Sequence, residues 1–358
     1  MIVQPHGFQP RISKVVPMRP RGVFPGAGLL DALQARVVGQ AHALARIVPY
    51  VQMHQAGLSP ESRPAGVFLL LGPTGTGKTR TVEALAGVLH GNEKHLLRVD
   101  CGEFQMEHEV AKLIGAPPGY LGHRETAPML SQQKLAAVAS EACRLSLVLF
   151  DEIEKAAPSM TRLLLGVLDK AVLRLGDNTS VDFEQTLIFM TSNLGAREIR
   201  KEIAPDFGFE SLMPRPEPGA KRGGAERRLD QIGLGAVRRK FPPEFVNRID
   251  AVITYQPLDQ KALAAIVDQQ IQALERHIES RLVEKAFELD VTDSARRLLL
   301  EMGTSTEWGA RELKRTILRE LTQPLAAMVA NGEIKPESLV RVERAEEGKK
   351  LKLAVMGA

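Results

Sequence analysis

The sequence predicts an α/β fold in which a parallel sheet flanked by helices is followed by a smaller, mainly helical unit with short strands. Short apolar runs alternate with longer helical stretches, and four runs predict strands buried on both faces, at 67–71, 96–99, 147–150 and 187–190. Buried strands separated by helices indicate parallel pairing through crossover connections. At 358 residues the chain is long enough for two packed units.

Helical periodicity flanks the predicted sheet on both sides. A helical pattern runs over 29–51, and apolar residues recur at spacings of three and four over 263–282 and 313–328. Two β patterns, at 340–342 and 351–355, add short strands to the second unit. The expected organisation is an arm over 1–30, a large domain over 31–257 and a smaller domain over 258–358.

Composition and charge argue against several classes of protein. With 44% hydrophobic and 25% charged residues, and no apolar run near the ~20 residues that cross a bilayer, the chain is predicted to be neither disordered nor membrane-spanning. The first thirty residues carry four basic residues and no acid, which accounts for the formal charge of +4. Removing those four from the 47 basic residues leaves 43, equal to the number of acids. A neutral body argues against a nucleic-acid partner.

Two segments are rich in Pro and Gly. The first, over 1–30, lacks the apolar region of a signal peptide and is interpreted as a flexible basic arm, with a transit peptide as the alternative. The second, near 204–227, is predicted to be a surface insertion. Cys101 and Cys143 have no metal-ligand spacing and are expected to be buried, reduced thiols, which indicates a cytoplasmic protein.

A phosphate-binding motif follows the first predicted strand. Its glycines let backbone N–H groups surround phosphate oxygens, and the N-terminus of the next helix favours anions. Lys78 is expected to reach the β and γ phosphates, and Thr79 to ligate Mg²⁺. The predicted cofactors are therefore ATP and Mg²⁺. The Walker A pattern that would hold them comprises Gly72, Pro73, Thr74, Gly75, Thr76, Gly77, Lys78 and Thr79.

Two acids follow the third predicted strand. Asp151 and Glu152 come directly after 147–150, at the sheet edge where nucleotides bind in doubly wound folds. Asp151 is expected to hold the Mg²⁺ shell, as the second metal ligand, and Glu152 to polarise the attacking water. Paired acids after a strand can also cap a helix. The Walker A motif upstream favours the catalytic interpretation.

Seven segments, in one order, resemble the Clp-type AAA+ unfoldases, and in particular the second ATPase module of two-module members. The resemblance runs from about Val37 to the end of the second unit and implies a P-loop NTPase module of the AAA+ class with a C-terminal lid. The segments are Val-Val-Gly-Gln40, the Walker A motif, Gly-Ala-Pro-Pro-Gly-Tyr-Leu-Gly122, Leu-Phe-Asp-Glu-Ile-Glu-Lys155, Met-Thr-Ser-Asn-Leu-Gly195, Phe-Pro-Pro-Glu-Phe-Val-Asn-Arg-Ile-Asp250 and Gly-Ala-Arg-Glu-Leu313.

The resemblance implies roles for residues around the nucleotide. Val37 and Val38 would line the adenine pocket, which suits two branched apolar side chains against a planar base. Asn193 resembles sensor 1 and would orient the attacking water with Glu152. Arg311, at the start of a lid helix, resembles sensor 2 and would report the γ-phosphate to the lid.

Arg248 resembles the arginine finger that reaches the γ-phosphate held by the next subunit. A lone arginine is more often a surface residue, but this one lies inside a matching motif. A finger acting in trans requires a head-to-tail neighbour, and such contacts close into rings. The resemblance therefore implies a homo-oligomer, a hexameric ring.

The segment Gly119-Tyr120-Leu121-Gly122 resembles the pore loop with which the family grips polypeptide. Tyrosine is scarce in this chain, with three in all, and a flexible tip is a poor place for a core residue. The alternative is a turn with a packed aromatic ring. After the loop, 123–128 replaces the family's Gly-rich stretch with His-Arg-Glu-Thr-Ala-Pro.

The predicted function is an ATP-dependent, ring-forming protein unfoldase or remodelling chaperone that threads protein substrates through an axial pore. The alternatives are an AAA+ ATPase that remodels a nucleoprotein complex, and a nucleotide-binding scaffold without turnover. The resemblance leaves open whether an adaptor or a ClpP-like peptidase binds. Phe207-Gly208-Phe209 is either the tripeptide that docks such a peptidase or an apolar anchor.

Overall fold

The computed structural model describes residues 26–115, 127–203, 223–282, 286–304, 309–345 and 350–356. The predicted pore loop at 119–122 and the tripeptide at 207–209 lie outside the described residues. Helix α1 (Gly26–Gln34) begins within the last residues of the predicted arm and buries Leu29.

The described residues form ten strands: β1 (Gly66–Leu71), β2 (Leu97–Asp100), β3 (Ser146–Asp151), β4 (Val172–Arg174), β5 (Ser180–Asp182), β6 (Thr186–Ser192), β7 (Ala251–Thr254), β8 (Glu288–Val291), β9 (Leu339–Arg344) and β10 (Leu351–Met356).

Twelve further helices follow α1 in the described part of the chain: α2 (Ala41–Gln55), α3 (Lys78–His90), α4 (Ala111–Ile114), α5 (Gln132–Val138), α6 (Pro158–Lys170), α7 (Ala196–Ile203), α8 (Gly223–Lys240), α9 (Pro243–Val246), α10 (Gln260–Leu282), α11 (Asp293–Gly303), α12 (Ala310–Ile317) and α13 (Gln323–Ala330).

Five of the described strands form a parallel sheet in the order β2-β3-β6-β1-β7. Parallel pairing requires crossover connections, and the helices between these strands supply them. Strand β6 lies between β1 and β3, although it follows both in sequence. The carboxyl ends of these three strands therefore meet at one edge of the sheet.

Side chains of the central strands alternate between two buried faces. In β1, Leu69 and Leu71 enter one hydrophobic cluster, whereas Phe68 and Leu70 enter the other. The ring of Phe68 stacks on Phe189 of β6 with centroids 5.1 Å apart. Full burial of such side chains contributes about 1.5–3 kcal/mol each, so a sheet buried on both faces rigidly supports the loops at its edge. The α/β fold class with a parallel sheet is confirmed.

Burial on both faces, expected for all four predicted strands, is wrong for β2. Arg98 and Asp100 are exposed and only Val99 is fully buried, because β2 is the edge strand of the sheet. The expectation for the thiols is wrong in part as well, since Cys101 is buried but Cys143 is only half-buried.

Three observed features have no counterpart in the sequence prediction: strand β7, the antiparallel hairpin of β4 and β5, and strand β8. These strands have three or four residues each. Leu173 and Val181 are the single buried residues of the two hairpin strands. Such short segments are too brief to establish a two-residue periodicity against their surroundings.

The C-terminal unit is a helical layer on a small sheet. Strand β9 pairs in parallel with β8 and antiparallel with β10. The two predicted β patterns, at 340–342 and 351–355, lie in β9 and β10. Helices α10, α11, α12 and α13 pack over it, and a π-helical turn at Leu318–Thr322 joins the last two. In the described part of the chain, no helix combines the length and the apolar character needed to span a membrane.

Candidate active site

A cavity of about 860 Å³ lies between the carboxyl edge of the central sheet and the C-terminal unit. It brings together residues that are up to 279 positions apart in sequence, from Ala35 to Lys314. Of the sequence-predicted site residues that the structure describes, Gly72, Pro73 and Arg248 lie outside its lining. The sequence-predicted site residues that do line it are Val37, Val38, Thr74, Gly75, Thr76, Gly77, Lys78, Thr79, Asp151, Glu152, Asn193 and Arg311.

The ammonium group of Lys78 is buried at the base of this cavity. Its Nζ donates to the carbonyl oxygens of Gly72 at 2.6 Å and Pro73 at 2.9 Å, and to Asn193 Oδ1 at 3.1 Å. Burial lowers the pKa of Lys78 to about 8, and the negative charge of Glu154 opposes that shift. An amine held by neutral acceptors in a desolvated site gains most from an anionic ligand.

Gly72 is required by a close approach between the phosphate-binding loop and the segment that follows strand β7. Its φ is +134°, and a Cβ at this position would lie 2.6 Å from the carbonyl oxygen of Tyr255. Tyr255 is buried, and its hydroxyl donates to Thr81 Oγ1 at 2.8 Å. The tyrosine thereby joins the segment after β7 to helix α3.

Gln40 is a second connection of the same kind, and the sequence analysis assigned it no role. Its side chain is fully buried and donates to the carbonyl oxygens of Thr76 at 3.0 Å and Gln256 at 2.8 Å. A buried amide with two good acceptors fixes both segments, because breaking either bond leaves a desolvated polar group. The position of Gln40 in the matching Val-Val-Gly-Gln segment was the available signal.

Asp151 lies at the end of β3 and is buried. Its Oδ1 accepts a hydrogen bond from Thr191 and lies 3.4 Å from Thr79 Oγ1. Its Oδ2 forms an ion pair with Arg98, a residue of the exposed edge strand. Buried carboxylates need such partners. Sequence reasoning missed Thr191 and Arg98, although Thr191 lies inside a segment that was matched.

Glu152 adopts a left-handed backbone conformation with φ +57° and ψ +48°. Residues other than glycine rarely adopt this conformation. It is found at functional sites where the surrounding structure enforces it. Here the backbone N–H of Glu152 donates to Thr191 Oγ1 at 3.0 Å. The carboxylate lines the cavity and forms an ion pair with Lys155.

Asn193 is oriented by Glu154. The backbone N–H of Asn193 donates to Glu154 Oε1 at 2.9 Å, and its side-chain Oδ1 accepts from Lys78. Glu154 Oε2 is buried and has no hydrogen-bond partner among the described residues. Because Asn193 Oδ1 accepts a hydrogen bond from Lys78, its amide N–H₂ group remains available as a donor.

Apolar side chains form the wall of the cavity near Val37. Val37 is buried and Val38 is half-buried, and Leu258 and Ile266 line the same cavity from the C-terminal unit. Gln269 on α10 donates to the carbonyl oxygen of Ala35 at 2.8 Å, which holds α10 against the segment before Val37. Branched apolar side chains with amide groups nearby suit a planar base.

The C-terminal unit contributes cations to the cavity through helix α12. Arg311 and Lys314 line it, and the positive charge of Arg311 contributes to the lowered pKa of Lys78. At the mouth, Arg80 donates to Glu93 at 2.5 Å. This hydrogen bond lowers the pKa of Glu93, with a smaller contribution from Lys314. The cavity thus carries cations on both of its sides.

Arg248 follows helix α9, away from this cavity. Its Nε lies 3.2 Å from Asp169 Oδ1, and a terminal N–H₂ group donates to the carbonyl oxygen of Glu244 at 2.6 Å. About 29% of its side chain is exposed. The guanidinium group is therefore held in place at a surface that another molecule can contact.

The oxygens of Thr79 and Asp151 are of the type that Mg²⁺ prefers, and they lie side by side at 3.4 Å. In the described part of the chain, no group of three or more His, Cys, Asp or Glu side chains could hold a metal ion by itself. The donor set therefore fits a magnesium ion that arrives with phosphate groups and water as its other ligands.

Nucleotide affinity is predicted to fall as the pH rises from 7 to 9. In the free protein Lys78 has a pKa of about 8, and bound phosphates would raise that pKa because they favour the charged amine. Lys78 is mostly protonated at pH 7 and mostly neutral at pH 9, so binding at pH 9 must include proton uptake and weakens about tenfold. Titration with a fluorescent nucleotide at each pH measures this dependence.

The Lys78→Arg variant is the control, because its guanidinium keeps its charge throughout this range. Its affinity, whatever the absolute value, is expected to vary little between pH 7 and pH 9. A flat profile for the unaltered protein would contradict the lowered pKa of Lys78.

Two family models match this chain. The model described as the AAA domain of the Cdc48 subfamily matches residues 63–252, which include the phosphate-binding loop, Asp151, Glu152 and Asn193. The model described as the C-terminal, D2-small domain of ClpB protein matches residues 258–342.

Similar proteins and solved structures cover most of the chain. It is 38% identical over 309 residues to the chaperone protein ClpB of Meiothermus ruber, covering 86% of this chain and 33% of that protein. It is 39% identical over 318 residues to the ClpB of Aquifex aeolicus strain VF5, covering 88% and 29%. The chain thus spans about a third of the length of these relatives.

The closed-state cryo-electron-microscopy reconstruction of Hsp104 with ATPγS and FITC-casein has a similar fold. Its TM-score is 0.74 at 30% identity, and the match covers 92% of this chain and 51% of that chain. The S. cerevisiae Hsp104–casein complex in its extended conformation matches with a TM-score of 0.74 at 31% identity, covering 91% and 51%. Since the AAA model matches more than half of its length, the chain belongs to the AAA family.

Proposed function

We propose that this chain is an ATP-hydrolysing module that unfolds or remodels protein substrates as part of a ring. The observation that carries the proposal is the meeting of Lys78, Asp151, Glu152 and Asn193 around one cavity that the lid closes with Arg311. The proposal assigns the loop 72–79 to the phosphates of ATP and the wall at Val37 and Val38 to its adenine.

In the proposed hydrolysis of ATP, neighbouring side chains would have different roles. Lys78 and Arg311 stabilise negative charge on the phosphates, and Thr79 with Asp151 holds the magnesium ion that accompanies ATP and neutralises further charge. Glu152 accepts a proton from the attacking water, which Asn193 orients through its amide group. The hydrogen bond from the backbone N–H of Glu152 to Thr191 Oγ1 keeps this residue at the sheet edge.

Arg248 would complete the site of an adjacent subunit. Its position outside its own cavity, and its support by Asp169 and Glu244, suit a group that acts across an interface. A head-to-tail interface closes into a ring. We propose a homohexamer, with cation donation in trans as the link between neighbouring sites.

The proposed substrates are polypeptides. This proposal draws on relatives named ClpB chaperone and on structures of Hsp104 with casein. Tyr120 would grip the chain in the pore, and movement of the lid relative to the large domain would pull it. A bound peptidase or adaptor would add to this activity. If the substrate were instead a nucleoprotein complex, DNA would stimulate the rate of ATP hydrolysis.

The Glu152→Gln variant is expected to bind ATP with affinity close to that of the unaltered protein and to lose about 10²- to 10⁴-fold in turnover. The amide keeps the shape of the side chain but cannot accept the water proton. Nucleotide titration and a phosphate-release assay measure the two effects.

Glu107→Gln provides a control, because this exposed acid pairs with Arg162 on the surface and should leave turnover unchanged. Equal phosphate release by the Glu152→Gln variant and the unaltered protein would remove Glu152 as the base. The same variant, loaded with ATP, can then capture bound polypeptide, peptidase or DNA.

A finger acting in trans predicts complementation between two inactive variants. Arg248→Ala should lower turnover by about a thousandfold, and Lys78→Ala should prevent productive nucleotide binding in its own subunit. In rings mixed at equal ratio, about a quarter of the sites would combine an intact cavity with an intact neighbouring Arg248 and recover activity. Phosphate release by the mixture measures this recovery.

Arg228→Ala is the matched control for this experiment, because in the described part of the chain Arg228 forms an exposed ion pair with Glu202 and does not line the cavity. It should retain full turnover alone. A mixture that stays as inactive as its two components would rule out the finger in trans.

Tyr120→Ala is expected to retain ATP hydrolysis and to lose unfolding of a fluorescent protein substrate, because a methyl group offers too little surface to grip a polypeptide. Tyr120→Phe keeps the ring and should preserve most of the unfolding activity. Unfolding by the alanine variant at the normal rate would remove the pore role from this residue.

A further inference from the structure

The lid touches the phosphate-binding loop through its backbone as well as through side chains. The N–H of Ala310, the first residue of α12, donates to the carbonyl oxygen of Gly75 at 3.2 Å. Gly75 lies in the middle of the loop and has a φ of +78°. The lid helix therefore starts directly on the loop that is expected to surround phosphate.

Glycine suits the residue before this helix, because its φ is positive and a Cβ there would be crowded by the loop. Gly309 has φ +50° and ψ −137°, and a Cβ there would lie 3.1 Å from the carbonyl oxygen of Gly75 and 3.4 Å from that of Thr74. Both obstacles are backbone atoms, which cannot rotate away as a flexible side chain does. A side chain at position 309 would therefore require the loop and the lid to move apart by a few tenths of an ångström.

This contact controls where the cations of α12 lie. Arg311 and Lys314 follow Gly309 on the same short helix and line the cavity. A helix behaves as a rigid unit over two turns, so a shift at its first residue moves both side chains together. The distance between loop and lid thus determines how much positive charge the lid adds at the phosphates.

We propose that Gly309 is a positioning residue whose missing side chain lets the lid dock, backbone to backbone, on the phosphate-binding loop. Through the bond from Ala310 to Gly75, a change in loop shape on nucleotide binding moves α12 directly. This coupling acts in addition to any contact between Arg311 and the nucleotide. The inference rests on the proposed ATP binding and would add a second link between nucleotide state and lid position.

The test compares Gly309→Ala with Gly332→Ala. Gly332 lies in the same unit with φ +73°, and a Cβ there would meet nothing within 4 Å. Both substitutions carry the cost of a positive φ, but only the first adds a clash with the loop. Gly309→Ala is expected to bind nucleotide roughly three- to tenfold more weakly, consistent with loss of one hydrogen bond. Gly332→Ala should bind like the unaltered protein.

The fluorescence of Trp308 provides a measurement that a general loss of stability would not by itself change. This residue is the chain's single tryptophan and adjoins Gly309 in sequence, although it lies outside the described residues. The unaltered protein and Gly332→Ala are expected to change tryptophan emission when ADP or ATPγS is added. In Gly309→Ala this change should be lost or strongly reduced at saturating nucleotide.

A second variant removes the hydrogen bond without relying on Gly309. Proline is tolerated at the first position of a helix and has no N–H, so Ala310→Pro should fold while breaking the contact with Gly75. Circular dichroism checks the fold of each variant. Ala310→Pro should weaken nucleotide binding and reduce the fluorescence change as Gly309→Ala does.

The outcomes separate this inference from the proposed function. If the folded Gly309→Ala and Ala310→Pro variants match Gly332→Ala in affinity and fluorescence, docking through the backbone is wrong while ATP binding stands. If the unaltered protein binds no nucleotide, the proposed function fails, and the inference fails with it.

Discussion

The insertion of β6 between β1 and β3 is the constraint on which the candidate site depends. It sets the end of β6 between the phosphate-binding loop and the two acids that follow β3. Thr191 can therefore bond both to Asp151 and to the backbone of Glu152, and Asn193 can reach Lys78. A sheet buried on both faces holds these three strand ends rigidly, which a catalytic arrangement of charges requires.

Charge balance explains why the site has so many internal bonds. Lys78 and Asp151 are both buried, and each would be costly without partners. The lysine is held by carbonyl oxygens and Asn193, and the aspartate by Thr191 and Arg98. These partners offset the cost of removing the two charges from water.

The two units are coupled across the cavity by contacts of different kinds. Gln269 bonds to the segment before Val37, and Ala310 bonds to the carbonyl oxygen of Gly75. Gly72 permits an approach between backbones that a Cβ would block, and Gly309 permits one that a Cβ would crowd. A change in the phosphate-binding loop can therefore reach the lid through the hydrogen bond at Gly75 as well as through packing, as expected for elements that have few alternative arrangements.

Local sequence patterns determined the parallel sheet, the phosphate-binding loop and the order of the motifs. A buried apolar run or a glycine-rich loop can be recognised because its structure depends on a few neighbouring residues. The edge position of β2, the short strands and the partners Gln40, Arg98, Thr191 and Glu154 were decided only by the tertiary structure. Each of these depends on which strands become neighbours or which segments meet across more than one element. A periodicity within one segment contains no information about such distant contacts.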